Sequence, residues 1–229
     1  MKIKNWLLYT VLFALLTSSC TVDKKVWDAI ARIEKRLDAI EAIVLPPKED
    51  TQTSAYIIPV GQSPVLGKPD AKNSIVVFTN FQCPYCARAD KALRKVLEDD
   101  ELKDQVNIVF KHFPFDRHVL ARTASKAALA AKEQNKFWDM AEIIFENQSD
   151  LSNDNIQKWA QKIGLDMAKF NNDLKANDQK YDEQINEDMK FGEKAHIKGT
   201  PWILLGGWLF EVNSIDPASV KAFIKSKNL

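Results

Sequence analysis

Cysteine is scarce in this chain. Three among 229 residues do not make a disulfide scaffold. Charge of one sign is also missing: 32 basic against 31 acidic residues leave a formal net charge of +1, which points to no nucleic acid and no strongly acidic partner. The apolar run Trp6 to Leu16 is too short to span a bilayer. There are no internal repeats and no low-complexity blocks. What is present is a 45% hydrophobic content, enough for one domain with a sizeable core plus appendages.

Two of the cysteines stand together in Cys83-Pro84-Tyr85-Cys86. Upstream, Ser74 to Phe81 is an apolar, β-branched run that suits one buried strand. Downstream, Ala89, Ala92, Leu93, Val96 and Leu97 recur at helical spacing. The thiols therefore fall at a strand-to-helix junction, where free N–H groups and the positive end of the helix dipole favour a thiolate at Cys83. Pro84 suits the first helical turn, where its missing N–H is no loss. Cys86, one turn further on, is placed to resolve a mixed disulfide. Two other readings exist. His112 and His118 have a spacing that zinc accepts, but they lie far from the thiols and no second cysteine pair completes the set. A purely structural disulfide closes so short a loop that it removes little unfolded-state entropy.

Far downstream stands Gly199-Thr200-Pro201. With Val76-Val77-Phe78-Thr79, the cysteine pair and this tripeptide together, the sequence resembles the thioredoxin-fold thiol–disulfide oxidoreductases of the bacterial cell envelope. The branch with a helical insertion, the DsbA-like one, matches best, over about residues 60–229. The resemblance implies an α/β thioredoxin fold with no metal and no cofactor. It implies that Cys83 is the nucleophile and Cys86 the resolving thiol. It also implies that Pro201 is cis and faces them, with Thr200, Pro201, Pro84 and Tyr85 contacting an extended substrate peptide. Pro84-Tyr85 and Thr200 look like the isomerase members of that family, such as the ScsC-, DsbC- and DsbG-type proteins.

Ahead of this domain lie three appendages. Residues 1–20 combine Lys2 and Lys4, the apolar run and Thr17-Ser18-Ser19-Cys20, which resembles a bacterial lipoprotein signal with Cys20 as the lipidated residue. The competing reading is cleavage nearby that leaves Cys20 as an odd thiol. Both export the chain to the cell envelope, where disulfide chemistry is useful. In 23–45, Val26, Ile30, Ile33, Leu37, Ile40 and Val44 alternate at four and three residues. This heptad seam predicts a coiled-coil helix that forms a homo-oligomer, with a trimer favoured by the residues at a and d. The alternative is a helix folded back on its own domain. Residues 46–55, opened by Pro46-Pro47 and free of apolar side chains larger than alanine, read as a semi-extended linker.

The catalytic domain then covers 56–229. Tyr56 to Val60 reads as a short edge strand, Ser74 to Phe81 as the central strand and Val106 to Phe110 as another. Between about 116 and 196 the pattern is helical: Ala121–Lys132, Phe137–Asn147, Asn155–Ile163, Met167–Leu174 and Tyr181–Phe191. Ser152 or Asn153 is a candidate cap, and Gly164 a stop. Pro201–Leu205 and Trp208–Phe210 form a hairpin about Gly206-Gly207, and Pro217–Lys227 is the last helix. His112, His118 and His196 read as core or surface residues. Phe81, Tyr85, Trp202 and Trp208 either border the thiols or fill the core.

These features predict disulfide isomerisation or exchange on unfolded or wrongly bridged exported proteins, with a membrane redox partner. The rival readings are a monomeric disulfide oxidase and a membrane-tethered chaperone.

Overall fold

The computed structural model describes residues 55–211 and 215–229, together with Val26, Ile30 and Ile33, which are helical. Val26 and Ile33 are exposed. The expectations for the signal segment, for Cys20, for the rest of the 23–45 helix and for the linker up to residue 54 lie outside the described residues. The chain divides into two units, 1–53 and 54–229, and the second carries the cysteine pair.

Five strands form one mixed sheet. The central strand β2 (Asn73–Thr79) pairs in parallel with β3 (Val106–His112) on one side. On its other side it pairs antiparallel with β4 (Trp202–Leu205). β1 (Val65–Gly67) closes one edge against β3, and β5 (Trp208–Leu209) closes the other against β4. Strands covered on both faces read as continuous apolar runs. Every residue of β3 is buried, and Ile75, Val76, Val77 and Phe78 of β2 are all in the core. The β4–β5 hairpin turns through Gly206 and Gly207 at φ +56° and +83°, the left-handed pair that a two-residue hairpin turn needs.

Tyr56 to Val60 forms no strand. Its ties to the sheet include a hydrogen bond from the Tyr56 N–H to the Gly207 carbonyl at 2.8 Å and one from the Lys111 ammonium to the Val60 carbonyl at 3.3 Å, and Pro59 has no N–H to extend a ladder. The edge strand falls further on, at β1.

Helix α1 (Pro84–Glu98) follows β2 and buries Cys86, Ala89, Leu93 and Val96, one stripe at helical spacing, against the sheet. Between β3 and β4 lies a block of five α-helices. These are α2 (Ala121–Lys132), α3 (Phe137–Glu146), α4 (Asn153–Lys162), α5 (Met167–Ala176) and α6 (Asp178–Lys194). The Ser152 hydroxyl caps α4 by accepting the Asn155 N–H. α2 is the hub of this block. Its buried alanines, Ala121, Ala124, Ala127, Ala128, Ala130 and Ala131, let neighbouring backbones approach closely while retaining high helix propensity. A buried ion pair ties the block to the sheet. Lys111 of β3 meets Asp188 of α6 at 2.9 Å with both side chains 3% exposed, and the second Asp188 oxygen accepts the His112 N–H at 2.9 Å. The chain ends in α7 (Pro217–Lys227), started by Asp216 accepting from the Ser219 N–H.

Candidate active site

One apolar cluster runs from the cysteine pair into the helical block, joining Cys83, Cys86, Phe81 and Phe110 to Ala124, Phe137 and Phe145. The thiols thus sit at the seam between sheet and helices. Cys83 is the N-cap of α1 with Pro84 in the first turn, and its carbonyl accepts the Cys86 and Ala87 N–H groups at 3.0 and 3.3 Å. The approach loop is held from both sides. Gln148, just after α3, donates its side-chain N–H groups to the carbonyls of Phe81 and Cys83 at 2.7 and 3.0 Å. The Gln82 side chain accepts the Leu120 N–H at 2.7 Å. Asn80 pairs with the His118 ring at 2.8 Å, and its backbone N–H points to the Cys86 sulfur at 3.4 Å.

Thr200 and Pro201 meet the cysteines, 117 residues away in sequence. The Thr200–Pro201 peptide bond is cis, and the Cys83 sulfur lies 3.2 Å from the Thr200 carbonyl, to which it donates when protonated. The Thr200 hydroxyl is buried without a hydrogen-bond partner among the described residues. Pro84 and Tyr85 lie on the open side, and Tyr85 is 59% exposed with Arg88 over its ring at 4.5 Å. Of the other three aromatic candidates, Phe81 belongs to the core. Trp202 packs edge-on against Tyr56 and Phe78, and Trp208 lies under Lys227.

The two thiols have opposite electrostatics. The Cys83 pKa is lowered to about 5, first by the hydrogen bond of the Cys86 thiol and then, against the opposing effect of burial, by the Cys86 N–H and the Tyr85 N–H. Cys86 is 1% exposed, and burial drives its pKa well up, with its thiol held as donor to Cys83. An ionised outer sulfur beside a protonated inner one is the arrangement in which the first attacks and the second waits.

His118 holds Asn80 of the approach loop. His112 is fully buried among Phe81, Phe110 and Phe137. Burial holds its pKa down at about 3, and neither ring nitrogen has a partner among the described residues. His196 lies exposed at the end of α6. Among the described residues no three metal-binding side chains gather. Sequence reasoning missed Gln148, which holds the loop that carries Cys83.

Comparison with known proteins agrees with this geometry. Residues 60–226 match the family described as Thioredoxin. The catalytic domain of Proteus mirabilis ScsC superposes with a TM-score of 0.61 at 23% identity, over 76% of this chain and 92% of that one. The thiol-disulfide exchange protein alpha-DsbA2 of Wolbachia pipientis gives 0.62 at 21% identity, over 72% and 86%. Among curated relatives, the Na(+)/H(+) antiporter NhaA 1 of Mycolicibacterium vanbaalenii is 32% identical over 144 residues, which is 62% of this chain. The chain spans about a quarter of the length of the curated relatives it matches. The chain belongs to the thioredoxin family, and its helical block between β3 and β4 gives it the DsbA-like form of the fold.

Proposed function

We propose that this protein exchanges thiols and disulfides on exported polypeptides through Cys83 and Cys86, acting chiefly as a disulfide isomerase. The observation that carries the reading is the Cys83 sulfur, biased towards thiolate and 3.2 Å from the Thr200 carbonyl beside a cis proline. In the first step the Cys83 thiolate attacks one sulfur of a substrate disulfide. A mixed disulfide forms and the other substrate sulfur leaves as a thiolate. In the second step either a substrate thiolate attacks the mixed disulfide, which gives an isomerised substrate and returns Cys83, or Cys86 attacks, which gives the Cys83–Cys86 disulfide and a reduced substrate. Thr200, Pro201, Pro84 and Tyr85 are the proposed peptide contacts.

Support for isomerisation comes from the Pro84-Tyr85 dipeptide, from Thr200 ahead of the proline and from the heptad seam of 23–45. Several copies of one reactive thiol on a shared stalk hold a wrongly bridged chain near them. The proposed setting is the bacterial cell envelope, with Cys20 as lipid anchor and a membrane redox partner that resets the pair. A monomeric oxidase is the rival reading.

The test is refolding of a scrambled disulfide substrate by the chain lacking residues 1–20, alongside its Cys83→Ala variant and its sedimentation. Refolding that vanishes with Cys83, by a protein that sediments as an oligomer, supports the proposal. Refolding that survives Cys83→Ala belongs to a chaperone. A monomer with weak refolding but rapid oxidation of dithiols is the oxidase.

A further inference from the structure

Beside Cys86 the sheet, α1 and α3 border a small, partly open cavity lined by Val77, Thr79, Cys86, Asp90, Trp138 and Phe145 among others. Its free space is about 10 Å³ for a water-sized sphere, room for about a single water molecule. Among its lining residues Thr79, Cys86 and Asp90 carry polar side chains, and the indole N–H of the lining Trp138 is taken up by the Val65 carbonyl at 3.0 Å. About three polar partners are what a buried water makes use of. Cys86 and Asp90 are four apart on α1 and so share one face of it.

We propose that Asp90 is the proton acceptor for Cys86, working through a water in the cavity that the two side chains share. The proposal rests on the exchange reading above and adds the residue that lets its second step run. Cys86 attacks only as a thiolate, yet it is 1% exposed and its pKa is driven up by burial. Cys83 accepts no proton at that stage, because its sulfur is bonded to the substrate. His112 does not line the cavity.

Asp90 fits the role on every side from which it is faced. Its own helix supplies Arg94, whose Nε donates to the carboxylate at 2.7 Å and lowers its pKa against the effect of burial. α3 supplies Glu142, 3.3 Å from the same guanidinium, and Glu146, and both raise the affinity of Asp90 for a proton. Burial is the largest influence and holds its pKa above the usual carboxylate range. The Asp90 side chain is 14% exposed, so it keeps some contact with solvent while lining the cavity.

The step balances. The Cys86 S–H proton passes through the water to the Asp90 carboxylate. The Cys86 thiolate attacks the Cys83 sulfur and forms the Cys83–Cys86 disulfide, and the Cys83–substrate bond breaks with its electron pair leaving on the substrate sulfur. The pair is oxidised and the substrate reduced, and Asp90 returns its proton to solvent. When the site oxidises a dithiol the sequence reverses, and Asp90 reprotonates the departing Cys86 thiolate.

The experiment is a single turnover of the reduced protein with a fluorescent peptide disulfide, read as two phases, formation of the Cys83 mixed disulfide and peptide release. Asp90→Asn is expected to leave the first phase near its wild-type rate. It is expected to slow release about 100-fold near neutral pH, with the residual rate rising about tenfold per pH unit as hydroxide replaces the lost base. Asp90→Glu keeps release within about tenfold of wild type. Asp90→Ala loses it and regains it with added formate, a response that misfolding would not give. Release by Asp90→Asn at the wild-type rate and with the wild-type pH dependence overturns the inference. So does Asp90→Ala without formate rescue. If the wild type forms no mixed disulfide at Cys83, it is the exchange reading that fails.

Discussion

Removing Cys86 tests the electrostatics of the site from the side where the structure is most specific. The Cys86 thiol is the largest influence lowering the Cys83 pKa to about 5, and Cys86→Ala deletes it while leaving the helix terminus and Thr200 in place. A hydrogen bond to a charged acceptor contributes about 1.5–3 kcal/mol. At about 1.36 kcal/mol per pKa unit, its loss raises Cys83 by about one to two units, to about 6–7. The assay is the rate of Cys83 alkylation against pH, followed by intact mass on fully reduced protein. The midpoint is read rather than the rate, because a thiolate of higher pKa is intrinsically more nucleophilic. A wild-type midpoint near the ordinary thiol value of about 8.5, or a variant midpoint unmoved from that of wild type, refutes the reasoning.

Three further outcomes follow from named contacts. The folded Cys83 value lies below the unfolded one, so reduced protein gains stability as pH rises above about 5 and loses it as pH falls through that value. At pH 7 the gain is about two units, about 3 kcal/mol, equivalent to a reduction potential about 60 mV more oxidising. It is measured by denaturing reduced wild type and Cys83→Ala at pH 4 and pH 7. His112 has a folded value of about 3 against the 6.5 of a free imidazole, so its contribution is present above about 6.5 and is lost on acidification. At pH 4 that loss is about 3 kcal/mol, and His112→Leu is expected to flatten the acid limb of the stability profile. Asp188→Ala leaves Lys111 charged and unpaired in the core, with an expected cost of about 3–5 kcal/mol in chemical denaturation. Asp188→Asn, which keeps the His112 N–H partner, is expected to cost less.

How much of this was legible in the sequence depended on whether the deciding contact was local. α2 and α7 fall on the bounds read from the sequence, because a buried stripe runs from Ala121 to Ala131 of α2 and Asp216-Pro217 marks the start of α7. α6 extends three residues beyond each end of the segment read from sequence, since its terminal turns are polar and the hydrophobic period marks only the turns facing the core. Tyr56 to Val60 looked like a strand by composition, but pairing is a tertiary property and β3 is paired instead by β1, three residues too short to stand out. The strand-to-helix placement of Cys83 followed from adjacent sequence. The approach of Thr200 and Pro201 followed only from resemblance, across 117 residues. Gln148 left no trace, because its partners are the carbonyls of Phe81 and Cys83, 67 and 65 residues away, and a glutamine after a helix has no pattern of its own. The Lys111–Asp188 pair is equally silent, since a lysine at the end of an apolar strand reads as an exposed edge until α6 covers it.

The account stands or falls on Cys83 as the sulfur that takes hold of substrate. The most direct measurement uses Cys86→Ala, which cannot resolve, incubated in its reduced form with a scrambled-disulfide protein and analysed by non-reducing separation and peptide mass mapping. The prediction is a persistent covalent complex whose cross-linked peptide contains Cys83 and which thiol reductant dissolves. No complex, or one joined through any other residue, contradicts the account.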